Sequence, residues 1–132
     1  MQTIYPVLKY EDAHAAMDFL ERAFGFERHA VYEGENGGVA HAELKLDDEY
    51  VMLGSTAEGD DRFNQGAGRS SLYVVVDDPD AHHARAKEAG ASIERELTNQ
   101  DYGSREYTAR DPEGNLWSFG TYRPGAEGAA SG

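Results

Sequence analysis

Residues 5–26 read Tyr5-Pro-Val-Leu-Lys-Tyr-Glu-Asp-Ala-His-Ala-Ala-Met-Asp-Phe-Leu-Glu-Arg-Ala-Phe-Gly-Phe26, and this stretch decides the fold. Its first part belongs to a strand over 2–9. There Ile4, Pro6 and Leu8 face one way, Tyr5 and Val7 the other. Pro6 has no amide donor, so one flank of that strand lacks a full ladder partner. Asp12 then offers a carboxylate to the free amides of a helix start. Between 13 and 24, Ala16, Phe19, Leu20 and Ala23 fall three or four apart, which makes one apolar helical stripe. Gly25 can adopt the left-handed backbone that ends a helix.

Working outward, 27–32 and 39–46 read as strands joined by a glycine-rich turn, and 50–54 as a fourth strand. A polar, glycine-rich stretch at 55–69 follows, long for a compact domain and of the kind that covers binding sites. The order then repeats. A strand at 71–76 leads through Asp77-Asp78-Pro79-Asp80 into a helix at 81–89 that stops at Gly90. Strands at 91–97, 105–110 and 115–122 complete the unit, with Asp111-Pro112-Glu113-Gly114 as a turn. Asp12-Ala-His-Ala-Ala16 has an echo in Asp80-Ala-His-His-Ala84. The pattern predicts an α+β fold of two βαβββ repeats, each of about 55 residues. The expected organisation is one domain over 1–123: repeat one at 1–54, a linker at 55–69, repeat two at 70–123. A flexible Gly/Ala/Ser-rich tail at 124–132 follows.

Composition narrows the function. The 132 residues carry 25 acidic and 12 basic side chains, for a formal charge of −13. Such a surface repels phosphate backbones and anionic bilayers and attracts cationic small molecules. No apolar run reaches the roughly 18 residues of a membrane span, and the N-terminus lacks a secretory pattern, so the expectation is a cytoplasmic protein. There is no cysteine, which excludes disulfides, thiolate metal sites and a cysteine nucleophile. No Gly-x-Ser-x-Gly, phosphate loop or HExxH occurs, and Glu58-Gly59-Asp60-Asp61 lacks calcium-loop spacing and reads as solvated charge.

Together with residues 5–26, the stretch Tyr102-Gly-Ser-Arg-Glu-Tyr-Thr-Ala-Arg-Asp-Pro-Glu-Gly-Asn-Leu-Trp-Ser-Phe119 resembles the vicinal oxygen chelate superfamily. That superfamily includes glyoxalase I, bleomycin-resistance proteins and extradiol dioxygenases. The resemblance implies curved mixed sheets around a cleft with the helices outside. It also implies a homodimer, in which repeats of different chains complete the cleft; the alternative is a monomer with its two repeats paired in cis, and the long linker permits both. The metalloenzymes of the family bind a divalent ion through His, Glu or Gln on the first and last strand of each repeat. Those positions map onto Tyr5, the neighbourhood of Leu53, Ser71 and Ser118. Leucine cannot ligate, and tyrosine and serine hydroxyls are poor partners for a divalent ion at neutral pH. No metal and no other cofactor is expected, and the chain stands nearest to the metal-free, bleomycin-resistance-like members.

The period of two places His41, Glu43 and Lys45 on one face of their strand. They can form a cleft hydrogen bond or salt bridge, or serve as acid, base or ligand if the protein is an enzyme. Tyr5, Tyr73 and Tyr107 read either as cleft-lining rings for a planar ligand or as ordinary sheet filling. Arg105, expected beside Tyr107, can pair with a ligand carboxylate or with Glu43. Trp117 should point away from the cleft, and Ser71 and Ser118 into it. His14, His82 and His83 are expected on outward helix surfaces; His29 is ambiguous. The reading is a metal-free small-molecule binding protein, sequestering an aromatic or cationic antibiotic as bleomycin-resistance proteins do. The alternative is a glyoxalase-like lyase or isomerase, or a dioxygenase, with an altered site at His41 and Glu43.

Overall fold

In the computed structural model, residues 2–57 and 61–125 are described. Residues 58–60 of the acidic loop and 126–132 of the tail lie outside the described residues, as do the expectations that fall on them. The chain runs β1 (Val7–Tyr10), α1 (Ala13–Phe24), β2 (Glu27–Glu33), β3 (Val39–Leu46) and β4 (Glu49–Ser55). It then repeats as β5 (Ser71–Val75), α2 (Pro79–Glu88), β6 (Ser92–Asn99), β7 (Arg105–Arg110) and β8 (Leu116–Gly120). The strands form two mixed sheets with the same topology, β1-β4-β3-β2 and β5-β8-β7-β6. In each, the first strand lies parallel to the fourth and the other pairings are antiparallel. The α+β fold with two βαβββ halves is as the sequence predicts.

Local chemistry sets the helix ends. The Asp12 carboxylate accepts the Ala15 amide at 3.0 Å, and Gly25 ends α1 at φ +86°. Asp78 caps α2 in the same way, accepting from Ala81 at 3.1 Å. Pro79 sits in the first turn of α2, where its missing amide is harmless. Pro6 also behaves as its chemistry requires: its carbonyl accepts the Met52 amide at 2.9 Å, and β1 is a sheet edge. Further out, the Gln2 side chain replaces a strand partner. It donates to the Tyr50 carbonyl at 2.9 Å and accepts the Tyr50 amide at 2.6 Å.

The helices lie on the side of each sheet away from its polar face, and they meet. Arg85 of α2 donates to the Glu21 and Arg22 carbonyls at the end of α1. Phe24 of α1 packs on Trp117 and Phe119 of β8, with ring centres 5.7 and 4.7 Å away. Leu8, Leu20, Leu44, Leu53, Tyr107, Trp117 and Phe119 thus share one core that spans both repeats.

A buried carboxylate joins the repeats. Asp111, 5% exposed, accepts at Oδ2 from the Tyr10 hydroxyl (2.6 Å), Asn115 Nδ2 (3.0 Å) and Trp117 Nε1 (3.0 Å). Its Oδ1 accepts the amides of Glu113 and Asn115. Burial, followed by the Asp111 charge, pushes the Tyr10 hydroxyl pKa well above the ordinary range, so Tyr10 remains a donor. Next to this knot, the Glu113 carboxylate accepts the amides of Glu11 and Asp12. The 55–69 connection reaches the same place. At Gly68, a Cβ would lie 2.6 Å from the Glu113 carbonyl oxygen, so only glycine permits this approach.

His82 departs from expectation. Instead of facing outward it is largely buried between the repeats, its ring 4.2 Å from that of Phe119. Nε2 lies 2.9 Å from the Phe24 carbonyl and Nδ1 2.5 Å from the Tyr107 hydroxyl. A carbonyl only accepts, so Nε2 carries the proton and Nδ1 accepts from Tyr107. Desolvation lowers the His82 pKa, which keeps the ring neutral.

Candidate binding site on the polar sheet faces

On the first sheet, Ala42 and Leu44 are buried on the helix side, while His41, Glu43 and Lys45 share the opposite face. His41 Nε2 lies 3.0 Å from Glu43 Oε2, and Tyr32 of β2 stacks on the imidazole at 6.0 Å. The side chains of the pair remain 40% and 33% exposed. His29, at a bulge in β2, packs edge-on against Tyr50.

The second sheet is more enclosed. Glu106 of β7 and Gly120 of β8 are cross-strand partners. A Cβ at 120 would collide with the Glu106 side chain and come within 2.8 Å of the Tyr73 hydroxyl, so the glycine makes the space that the carboxylate occupies. The Tyr102 hydroxyl donates to the Glu106 carboxylate, 2.9 Å from each oxygen. Tyr122 meets Tyr102 edge-on at 5.4 Å, and the Tyr73 hydroxyl donates to the Tyr122 carbonyl at 2.7 Å. Three tyrosines and Glu106 thereby line a cavity of about 630 Å³, with Ser71 and Ser118 at its side. Burial, reinforced by Glu106, raises the pKa of both the Tyr73 and Tyr102 hydroxyls. A smaller hollow of about 450 Å³ opens where the repeats meet, with Phe26 and Trp117 in its lining, and shares Tyr73.

The positions expected of a metal centre do not assemble one. The exposed Tyr5 gives its hydroxyl to the Gln2 carbonyl, and Leu53 is in the core. Met52, not Leu53, takes the polar face of β4. Ser118 Oγ hydrogen-bonds Thr108 Oγ1 at 2.8 Å, and Ser71 is exposed. Among the described residues, no three His, Asp or Glu side chains converge on a point where they could hold a metal ion. This donor set does not suit a divalent cation.

Two placements expected from the sequence are corrected. Tyr107 is fully buried on the helix side, bonded to His82, and does not line the cleft. Arg105 pairs with Asp80 of α2 at 2.9 Å and with Asn99, so it reaches neither Glu43 nor the cavity. Their even-numbered neighbours Glu106 and Thr108 take the polar face instead. Register explains the shift: Tyr107 pairs with Phe119 and Ala109 with Trp117, and cross-strand partners point the same way. Trp117 does point to the core as expected. Placing it there and counting back through the Asp111–Gly114 turn would have turned Tyr107 inward and brought Glu106 out. Tyr102 and Tyr122 lie in irregular segments, where periodicity offers no signal.

The model of the Glyoxalase/Bleomycin resistance protein/Dioxygenase superfamily matches residues 5–119. The chain belongs to this superfamily. Similarity to an uncharacterized protein of Mycobacterium bovis is 32% identity over 126 residues, covering 87% of this chain and 80% of that one. Among solved structures, TioX from Micromonospora sp. ML1 is 34% identical with a TM-score of 0.73, covering 89% of this chain and 98% of its own. TnmS3, described as an antibiotic binding protein from Streptomyces sp. CB03234, is 21% identical with a TM-score of 0.67, covering 89% and 94%. That last likeness is one of fold. No helix among the described residues of this superfamily member is long and apolar enough to cross a membrane.

Proposed function

We propose that this protein binds a small, partly aromatic and cationic molecule without using a metal, and that such binding sequesters the molecule. The observation that carries the reading is the tyrosine-lined cavity around Glu106, where the described residues supply one carboxylate and no cluster of three metal donors. Tyrosines give rigid apolar faces with polar tips, suited to planar ligands. The net charge of −13 favours cations. The antibiotic-binding description of TnmS3, a protein of the same fold, is consistent with this role. Fold alone does not assign it.

A second copy of the chain completes the site in this reading. The His41–Glu43 face and the Glu106 face belong to different four-stranded sheets, and each is read here as one wall of a cleft. Ile4 before β1 and Val7 at its start, 84% and 57% exposed, add apolar surface for a partner beside this sheet edge. Light scattering should give twice the chain mass; a monomer at micromolar concentration would count against the completed cleft.

Two measurements test the binding reading. Elemental analysis of natively purified protein, before and after dialysis against zinc, nickel, manganese and iron, should find no stoichiometric metal. A thermal-shift screen of planar aromatic compounds, with and without amino groups, should find stabilising ligands. One tightly held ion per chain would overturn the reading. It would also favour the second one, in which the hydrogen-bonded pair His41–Glu43 serves a lyase, isomerase or dioxygenase as acid–base or ligand groups.

A further inference from the structure

Glu106 is 7% exposed, and its carboxylate forms part of the wall of the tyrosine-lined cavity. Both oxygens accept from one hydroxyl, that of Tyr102. Among the described residues no Lys, Arg or His forms an ion pair with it. Arg105, its neighbour in sequence, is committed to Asp80 on the other side of the sheet. Arg95 of β6 is exposed and acts electrostatically on Tyr102 without pairing with Glu106. A carboxylate withdrawn from water without a cation is unfavourable, and a cation brought by a ligand would offset that penalty. The rings of Tyr73, Tyr102 and Tyr122 surround the same space. Their faces attract positive charge, and their apolar carbons suit methyl or methylene groups.

We propose that this cavity is an organic-ammonium subsite, with the cationic nitrogen held over Glu106 and its carbon substituents against the three tyrosines. This deepens the binding reading above and rests on it for the idea that the face of the second sheet receives ligand. An ammonium suits the site better than a guanidinium, because the Tyr102 hydroxyl sits between the two carboxylate oxygens, where a planar fork would have to dock. It also suits the site better than a metal ion, since one carboxylate among phenol rings supplies too few oxygens. Gly120 is part of the device. Any side chain there would displace Glu106 from its place beneath Tyr73.

Choline and its neutral isostere 3,3-dimethylbutan-1-ol form the direct test, titrated into the full chain and followed by amide NMR. Choline should move the Ser118 and Gly120 signals and bind at least about tenfold more tightly than the alcohol. Glu106→Gln should remove that preference while leaving the alcohol unchanged. If Glu106→Gln fails to fold, Tyr102→Leu provides a second variant at an exposed ring, with an expected loss of roughly three- to tenfold for choline. Equal binding of the two compounds, no response to choline, or choline binding indifferent to both substitutions would overturn the proposal. So would a dimer that falls apart on Glu106→Gln with choline silent, since the cation would then come from a second copy. Neutral aromatic compounds that still bind after such a failure would leave the wider reading standing. Selective choline binding with no aromatic ligand found would preserve the subsite and remove the wider reading.

Discussion

His41 and Glu106 occupy the same slot in the two repeats. His41 lies one step along the antiparallel ladder from the Ala42–Leu53 pair, level with Gly54; Glu106 pairs with Gly120. Yet the first slot holds an open, half-exposed pair and the second an enclosed carboxylate. Two neighbours make the difference. Along its own strand His41 meets Glu43, whereas Glu106 meets Thr108, which is occupied with Ser118. The turn before β7 brings Tyr102 over the carboxylate, while the turn before β3 is Gly34-Glu35-Asn36-Gly37-Gly38 and brings no ring. A duplicated backbone therefore fixes where a side chain stands, and adjacent side chains decide whether it meets water or a ligand.

The strongest challenge to this contrast is to cut the tie between the repeats. Asp111→Ala leaves the Tyr10 hydroxyl, the Trp117 indole, the Asn115 side-chain amide and two backbone amides without their acceptor. It should cost about 3–5 kcal/mol in urea unfolding. Both faces should be lost in one transition. Two separate transitions would show that each repeat is stable alone.

Next comes the paired glycine. Gly120→Ala should destabilise by about 1–3 kcal/mol through collision with Glu106. Much of that should return in Gly120→Ala/Glu106→Ala, a coupling read from a double-mutant cycle. Simple additivity would mean that the glycine serves the backbone, as Gly54 does against the Ala40 carbonyl at 3.0 Å.

His82 predicts a pH effect on stability. Its folded pKa lies below the ordinary value of 6.5, so the unfolded chain binds the proton more readily. Its contribution is complete above that value and declines as pH falls below it and through the folded pKa. Unfolding free energy measured from pH 7.5 to 5 should fall less steeply in His82→Gln than in the wild type. An unchanged slope would show that the buried ring contributes nothing to acid sensitivity. The smallest effect belongs to the first face. Glu43→Gln should leave stability within about 0.5 kcal/mol of wild type, because the pair it breaks is solvated.

Much of the fold is legible in the sequence because its signals are local. The Asp12 cap, the α1 stripe and the Gly25 stop each depend on a few adjacent residues, and α1 runs over 13–24 as predicted. The polar face of β3 follows from the alternation of polar and apolar residues over 41–46. In β7, Arg105-Glu106-Tyr107-Thr108 gives no such alternation, and its facing is decided by β8 across the hairpin. In α2 only Pro79 and Ala86 are fully buried, so nothing in its polar sequence marks His82 as the residue that enters the seam. The cavity is the least legible part, since it joins β5, β7, the Tyr102 turn and the segment after β8.

The buried carboxylate at Asp111 also bears on how such a duplicated chain holds together. Its donors come from both halves, and Glu113 beside it seats the start of α1. The peptide connection from β4 to β5 is then not the sole tether. A molecule nicked in that connection would keep its halves joined through the lock at Asp111 and the shared aromatic seam. Either half made separately would expose one side of that seam, Phe24 in one piece and Trp117 in the other, and would be an adhesive fragment seeking its mate.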